Sequence, residues 1–353
     1  MSAADRSALG SEPGAEAGRE PGVEPGVEPG AEPVAVVVMA AGEGTRMRSR
    51  LPKVLHEVAG VPLVMHVLRA AAALRAQRTL VVVRHGADEV RAALAGVDVS
   101  CVDQGPRDGT GAAVAATRSL LEGRYPTVVV LNGDAPLVTG ESLSRLLQAQ
   151  RSAANGMTLL TYEVDDPRGL GRVLRTPEGE VTRVVEDADA DAEVRAVREV
   201  NPGTYAFDAT LWSLLDRLGD DNAAREYYLT DVIAAYRAAA LPVRGVLADD
   251  ETRLLVGVND RAQLARAEAL LRDRTRRRWL AAGVSMHAPE STVIDESVRL
   301  AQDVVLEPGA MLLGACEVGA GARVGAYAVL RDCALAPGAQ VPPHTVAQGR
   351  RFD

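Results

Sequence analysis

Apolar positions along this chain change period twice, and each change predicts a different kind of architecture. Val34 to Val38 is an unbroken apolar, β-branched run, the pattern of a strand buried on both faces. Thr79 to Arg84 and Thr127 to Leu131 are two further short β-rich runs. Between them, Pro62 to Ala76 and Gly111 to Leu121 carry apolar residues at helical spacing. Strand and helix in alternation predict an α/β, Rossmann-like domain on a mostly parallel sheet, with ligands bound at the carboxyl ends of its strands. From Met157 to Phe207 the pattern becomes strands broken by turns, at Pro167-Arg168-Gly169 and Pro177-Glu178-Gly179. That predicts an antiparallel insertion lining part of a ligand site. Helical spacing returns at Ala209 to Leu218, Ala223 to Ala239 and Asp260 to Ala282.

The last segment has its own period. Ile294, Leu300, Leu306, Leu312, Val318, Val324 and Leu330 recur every six residues. Four residues after each comes a small or β-branched side chain: Val298, Val304, Ala310, Cys316, Ala322, Ala328 and Ala334. This is the signature of a hexapeptide β-helix, here read as left-handed. Three hexapeptides make one triangular coil, so the count gives slightly over two coils before Pro337, Pro342 and Pro343 break the register. The organisation expected is a Glu/Pro/Gly-rich disordered tail over 1–32, an α/β domain over 33–259, a linking helix over 260–282, and the short β-helix over 283–353.

Composition narrows the class without changing this picture. Charged residues are 25% and apolar residues 47%, the balance of an ordinary globule. A net charge of −9 argues against a nucleic-acid binder, and no run is long and apolar enough to span a bilayer. A cytoplasmic protein is expected, with Cys101, Cys316 and Cys333 reduced and buried. The basic run Arg272 to Arg278 reads as the exposed face of the long helix.

The densest chemical signal follows the first strand, in Met39-Ala40-Ala41-Gly42-Glu43-Gly44-Thr45-Arg46-Met47 and Leu51-Pro52-Lys53. Glycines at 42 and 44 let backbone N–H groups approach a phosphate closely, and Arg46 and Lys53 add two fixed cations. There is neither a Walker Gly-Lys-Ser/Thr nor the third glycine of a dinucleotide fingerprint. A strand, a glycine loop and two cations suit a nucleoside triphosphate. Asn132-Gly133-Asp134 falls at the end of another strand, and Asp134 is the best candidate Mg²⁺ ligand, its bland alternative being a turn or helix cap. Asn259, before a helix, reads equally well as an N-cap. Glu186 lies in an acidic run that would usually be a solvated loop, and Tyr227 and Tyr228 read as core. The five histidines show no ligand spacing.

These segments, with Val54-Leu55-His56, Gln104, Gly109-Thr110-Gly111, Gly169-Leu170-Gly171-Arg172, Glu186, Glu199-Val200-Asn201, Tyr227 to Asp231 and Gly257-Val258-Asn259, occur in the order of one family. From Val34 to Val346 the chain resembles the uridylyltransferase half of the bifunctional GlmU family. The resemblance implies a nucleotidyltransferase (GT-A-like) mixed sheet that makes UDP-N-acetylglucosamine and pyrophosphate from UTP and N-acetylglucosamine-1-phosphate, with Mg²⁺. By the same resemblance, Ala40, Ala41, Gly42 and Gly44 would contact the nucleotide, and Gln104, Gly109 and Thr110 would read the uracil. Arg46 would stabilise the leaving pyrophosphate and Lys53 the charge on the α-phosphate. Asp134 and Asn259 would hold the metal; Asn132, Gly133, Gly171, Glu186 and Asn201 would hold the sugar phosphate. No general base is implied, because the attacking phosphate oxygen is already ionised.

Four positions depart from the family pattern. Leu170 stands for an aromatic residue, Pro202 for Thr, Arg107 often for Gln and Asn132 often for Tyr. Another hexose-1-phosphate, or dTTP in place of UTP, therefore stays open, as does a catalytically weak sugar-nucleotide sensor or assembly subunit. The acetyltransferase motifs of the family's second half do not occur, so no acetyl transfer is expected. A homotrimer through the β-helix and a monomer are both compatible with so few coils.

Overall fold

A computed structural model describes residues 32–152, 155–249, 254 and 256–353 of the chain. The tail predicted for 1–32 lies, apart from Glu32, outside the described residues. The strands of the α/β part are β1 (Val34–Met39), β2 (Glu57–Val58), β3 (Val61–Pro62), β4 (Arg78–Val83), β5 (Ser100–Asp103) and β6 (Thr127–Asn132). They continue with β7 (Met157–Glu163), β8 (Gly171–Arg175), β9 (Val181–Val185), β10 (Glu199–Asn201), β11 (Tyr205–Phe207) and β12 (Val243–Leu247). All but the β2–β3 hairpin join one mixed sheet in the order β5-β4-β1-β6-β11-β7-β10-β8-β9, with β12 alongside β7.

β5, β4, β1 and β6 run parallel, and β11 enters antiparallel between β6 and β7. The segment read as an insertion is antiparallel as expected, yet it is continuous with the main sheet because β11 pairs with β6 through Tyr205 and Val130. Besides the short β2–β3 hairpin, two strands of the main sheet went unread. β5 and β12 are short and weakly apolar, and β12 is interrupted by Gly245, where a Cβ would lie 2.5 Å from the Arg175 guanidinium.

β1 shows why an unbroken apolar run suits a central strand. Val34, Val36 and Val38 face the cluster containing Val64, Val67, Leu143 and Leu146, while Ala35 and Val37 face Val114, Trp212 and Ile233. Both faces are dry, so alternation would expose nothing to water. Helices follow the predicted spacing with two corrections. The helix expected from Ala223 begins at Asp231, because the Asn222 side chain bonds the Glu226 backbone and Arg225 turns left-handed (φ 55°). The helix expected over Gly111–Leu121 breaks into Thr110–Ala115 and Arg118–Leu121.

Beyond the long helix Arg261–Ala281, twelve short strands form three parallel sheets of four. Each sheet takes one strand per coil, so the β-helix has four coils where the sequence count gave slightly over two. The count failed at both ends: at the start Met286 pairs with Leu306 twenty residues on, a coil two residues longer than the repeat, and at the other end one residue is lost. Leu300 pairs with Val318 eighteen residues on, but Val318 pairs with Leu335 only seventeen on. A coil shortened by one residue moves the small interior position from Ala334, which is exposed, to Cys333, which is buried. The prolines then sit at turns and winding continues to Phe352. All three cysteines are free; Cys316 and Cys333 are buried, and Cys101 is half-buried.

The basic run on the long helix is exposed only in part: Arg277 and Arg278 face solvent as predicted, whereas Arg272, Arg274 and Arg276 are half-buried on a docking face. Arg272 pairs with Glu268 one turn back and, at 3.0 Å, with buried Asp295. Asp295 also accepts from the Gly314 N–H at 2.8 Å and packs against Gly60, where a Cβ would lie 2.5 Å from its carboxylate. One carboxylate thus ties the β2–β3 hairpin, the helix and the β-helix together. Among the described residues no helix is long and apolar enough to cross a membrane.

Candidate active site

Two loops meet at the carboxyl ends of β1 and β6. The Gly133 N–H donates to the Met39 carbonyl at 2.9 Å, and a Cβ at 133 would sit 2.8 Å from that same oxygen. Glycine is therefore what lets the second loop lie against the first and carry Asp134 to it. Gly44 adopts a left-handed conformation (φ 65°) and folds over Lys53, leaving no room for a side chain. At Gly42, by contrast, a Cβ would meet no atom within 4 Å, and the residue lines a cleft.

Lys53 lies at the centre. Its ammonium donates to Asp134 Oδ2 and, at 3.1 Å, to Asn259 Oδ1. The helix-cap alternative fails for both partners, although Asp134 does lie in a turn. The helix after Asp134 is capped by Thr139, whose hydroxyl accepts from the Ser142 N–H, and the long helix is capped by Asp260, which accepts from the Gln263 N–H at 2.8 Å. Asn259 stands one residue outside the helix with its own N–H tied to the Gln263 side chain at 2.7 Å. Val258 bonds the Asp134 carbonyl at 2.9 Å, and a Cβ at Gly257 would lie 3.2 Å from the Asp134 carboxylate. Two hard oxygens thus converge on one cation, here an ammonium. A carboxylate and an amide oxygen also form a donor set that Mg²⁺ accepts when phosphate and water complete its shell. Among the described residues no three His, Cys, Asp or Glu side chains cluster for a metal.

A cleft of about 290 Å³ opens beside this triad, lined by Gly42, Lys53, Gln104, Thr110, Asn132 and Asp134 among others. Gly109 sits in it at φ 105°, pressed so closely against the Tyr227 backbone that a Cβ would overlap its carbonyl oxygen. The Gln104 amide nitrogen is spent on the loop, donating to the Arg107 carbonyl at 2.7 Å. Thr110 accepts from the Leu229 N–H at 2.9 Å and keeps its own proton free to donate. Tyr227 and Leu229 therefore shape this loop, and Tyr227 lies under the Arg107 guanidinium at 5.4 Å. Arg84, also in the cleft, pairs with Asp108. Sequence reasoning missed it, although its position just past the end of β4 was a usable signal.

Most of the remaining predicted residues lie around, rather than within, that cleft. Ala40 donates to the Val82 carbonyl at 2.8 Å and is buried behind it, whereas Ala41 lines it. Arg46 faces a neighbouring cleft of about 570 Å³, shared with Leu170 and Asn259. A Cβ at Gly171 would lie 2.8 Å from Val184 and 3.4 Å from the Glu186 carboxylate, which also accepts from Thr230 at 3.3 Å. Glu186 is far from a solvated loop residue. Burial, reinforced by Asp189, Asp231 and Glu226, pushes its carboxyl above the usual range against the opposing pull of Thr230. Asn201 is buried, with both ends of its amide engaged by Tyr205 at 2.6 Å and the Gly203 N–H at 3.1 Å. Asn132 donates to the Pro202 carbonyl at 3.0 Å, so these two departures from the family pattern touch each other.

A mixed sheet with a glycine loop, paired cations and an acid–amide oxygen pair at its strand ends defines a nucleotidyltransferase domain. Residues 36–288 match the MobA-like NTP transferase domain family. A Bacillus anthracis structure described as a putative glucose-1-phosphate thymidylyltransferase shares the fold, with a TM-score of 0.57 over 68% of this chain and 96% of that one at 18% identity. A bifunctional protein GlmU of Thermus thermophilus is 49% identical over 318 residues, covering 89% of this chain and 69% of that protein. That of Kineococcus radiotolerans is 49% identical over 313 residues, covering 87% and 63%. The chain belongs to the GlmU family.

Proposed function

We propose that this protein transfers the uridylyl group of UTP to N-acetylglucosamine-1-phosphate, releasing pyrophosphate and UDP-N-acetylglucosamine. The observation that carries the reading is the convergence of Lys53, Asp134 and Asn259 beside the glycine loop, in a chain of this family. The glycine loop takes the triphosphate through backbone N–H groups, and the Gln104 to Thr110 segment holds the base. Lys53 turns its ammonium from the two oxygens to the α-phosphate, where negative charge builds as the new P–O bond forms. Arg46, at the neighbouring cleft, meets the departing pyrophosphate. Glu186, with Gly171 and Asn132, orients the sugar phosphate, whose ionised oxygen attacks the α-phosphorus without a base as the α–β P–O bond breaks and pyrophosphate leaves. Positioning and electrostatics supply the rate. Asp134 and Asn259 would hold Mg²⁺, which neutralises the crowded phosphates of such reactions.

Pyrophosphate release from UTP or dTTP with N-acetylglucosamine-1-phosphate, glucosamine-1-phosphate or glucose-1-phosphate tests the reading. The acetylated sugar with UTP is expected to be turned over far faster than every other pair. Preference for another sugar or for dTTP would reassign the substrate, and no release with any pair would overturn the enzymatic reading.

A further inference from the structure

The two catalytic cations proposed above sit on separate three-residue turns, Thr45–Met47 and Lys53–Leu55, and neither turn is long enough to hold itself rigid. Both turns end at the same side chain. Arg261, in the first turn of the long helix, donates from Nε to the Met47 carbonyl at 3.2 Å, next to Arg46. Its Nη1 lies 3.4 Å from His56 Nδ1, and the His56 N–H closes the other turn by donating to the Lys53 carbonyl at 3.2 Å. Met47 is buried and anchored in the cluster that includes Leu63, Val258 and Leu271, so its carbonyl is a fixed point.

We propose that Arg261 is a positioning residue whose guanidinium fork holds the Arg46 turn and the Lys53 turn in one frame, set by the helix that begins just after Asn259. The chemistry of the contact supports this. Arginine can only donate, so His56 must accept at Nδ1 and carry its proton on Nε2. That nitrogen is buried and has no partner, a cost that is understandable where the ring's other face has a task. Burial and, second, the guanidinium hold His56 below the usual histidine range, so the imidazole stays a neutral acceptor. The same helix docks on the β-helix through Arg272 and Asp295, which fixes the frame from its other end.

The catalytic half of this inference rests on the roles given to Arg46 and Lys53 above; the contact itself does not. The full chain carrying Arg261→Leu or Arg261→Lys should be compared with the wild type for kcat, KM for UTP, thermal midpoint and the NMR titration of His56. Arg261→Leu is expected to lower kcat by roughly ten- to a hundredfold, the scale of a small misplacement of reacting groups, with a small change in KM. Its His56 pKa should rise as the guanidinium is removed. Arg261→Lys keeps the charge and loses the fork, and should recover only part of kcat; if Arg261→Leu does not fold, this variant's lowered kcat at a wild-type thermal midpoint carries the test. Wild-type kcat in the folded variants, or a His56 titration that does not move in Arg261→Leu, would overturn the proposal. Should the wild type release no pyrophosphate from any substrate pair, the functional reading fails, while the His56 titration still decides whether the clamp exists.

Discussion

In the β-helix, the positions from Ile294 to Leu330 repeat one rule, whereas at the carboxyl ends of β1 and β6 each residue has a task of its own. Each coil repeats an aliphatic side chain pointing inward and a small one beside it, so Leu306, Leu312, Val324 and Leu330 are alike in burial and surroundings. At the candidate site, Gly133 is there for one carbonyl, Gly44 for one lysine and Asn259 for one ammonium hydrogen. A repeat spreads its stability over many equal contributions. A site concentrates its chemistry in single atoms. Lesions in the two regions should therefore be read out in different quantities.

The largest effect is expected at Asp134. Asp134→Ala removes the carboxylate that faces Lys53 and should abolish Mg²⁺-dependent pyrophosphate release, with circular dichroism unchanged. Lys53→Ala and Arg46→Ala come next, each lowering kcat by about a hundredfold or more, the cost of removing one group that stabilises transition-state charge. Normal kcat in both would separate these cations from the chemistry. In the β-helix, Leu312→Ala empties a fully buried position and should cost about 2–5 kcal/mol of stability, seen as a lowered denaturation midpoint, with kcat untouched below that midpoint. A fall in kcat there would erase the contrast between the regions.

The smallest effect concerns pH. The carboxyl of Glu186 is pushed above its ordinary value chiefly by burial, so it takes up a proton earlier as pH falls than an ordinary glutamate, which titrates near about 4.3. Protonated, it loses acceptor capacity. KM for the sugar phosphate should accordingly rise on the acid side beginning above that range, and Glu186→Gln should raise KM while removing this acid limb. Because its folded pKa is raised, ionised Glu186 also opposes folding, so the variant should be no less stable than the wild type at neutral pH.

Much of this was legible in the sequence, and the failures have physical causes. The apolar run at Val34 and the loop after it stood out because a central strand and a tight glycine loop each demand unusual residues in sequence. The hexad was readable for as long as coils kept eighteen residues, and was lost where one residue dropped out before Leu335. Spacing alone cannot signal a coil closed with one residue fewer. At Asn259-Asp260 two good capping residues stand side by side, and only the fold decides that the second caps the helix while the first turns to Lys53. The role of Arg272 was hidden for the same reason, since its partner Asp295 lies across an interface. β12 was missed because Arg244 and Gly245 interrupt its apolar pattern.

The most direct test of the central claim sets the two regions against each other in one assay. Pyrophosphate release from UTP and N-acetylglucosamine-1-phosphate should be measured for the wild type, Asp134→Ala and Leu312→Ala at a temperature where all three are folded. A silent Asp134→Ala protein beside a Leu312→Ala protein turning over at the wild-type rate is the result predicted. Turnover by Asp134→Ala at the wild-type rate would contradict the account, because the atom on which the site converges would then have no part in the reaction.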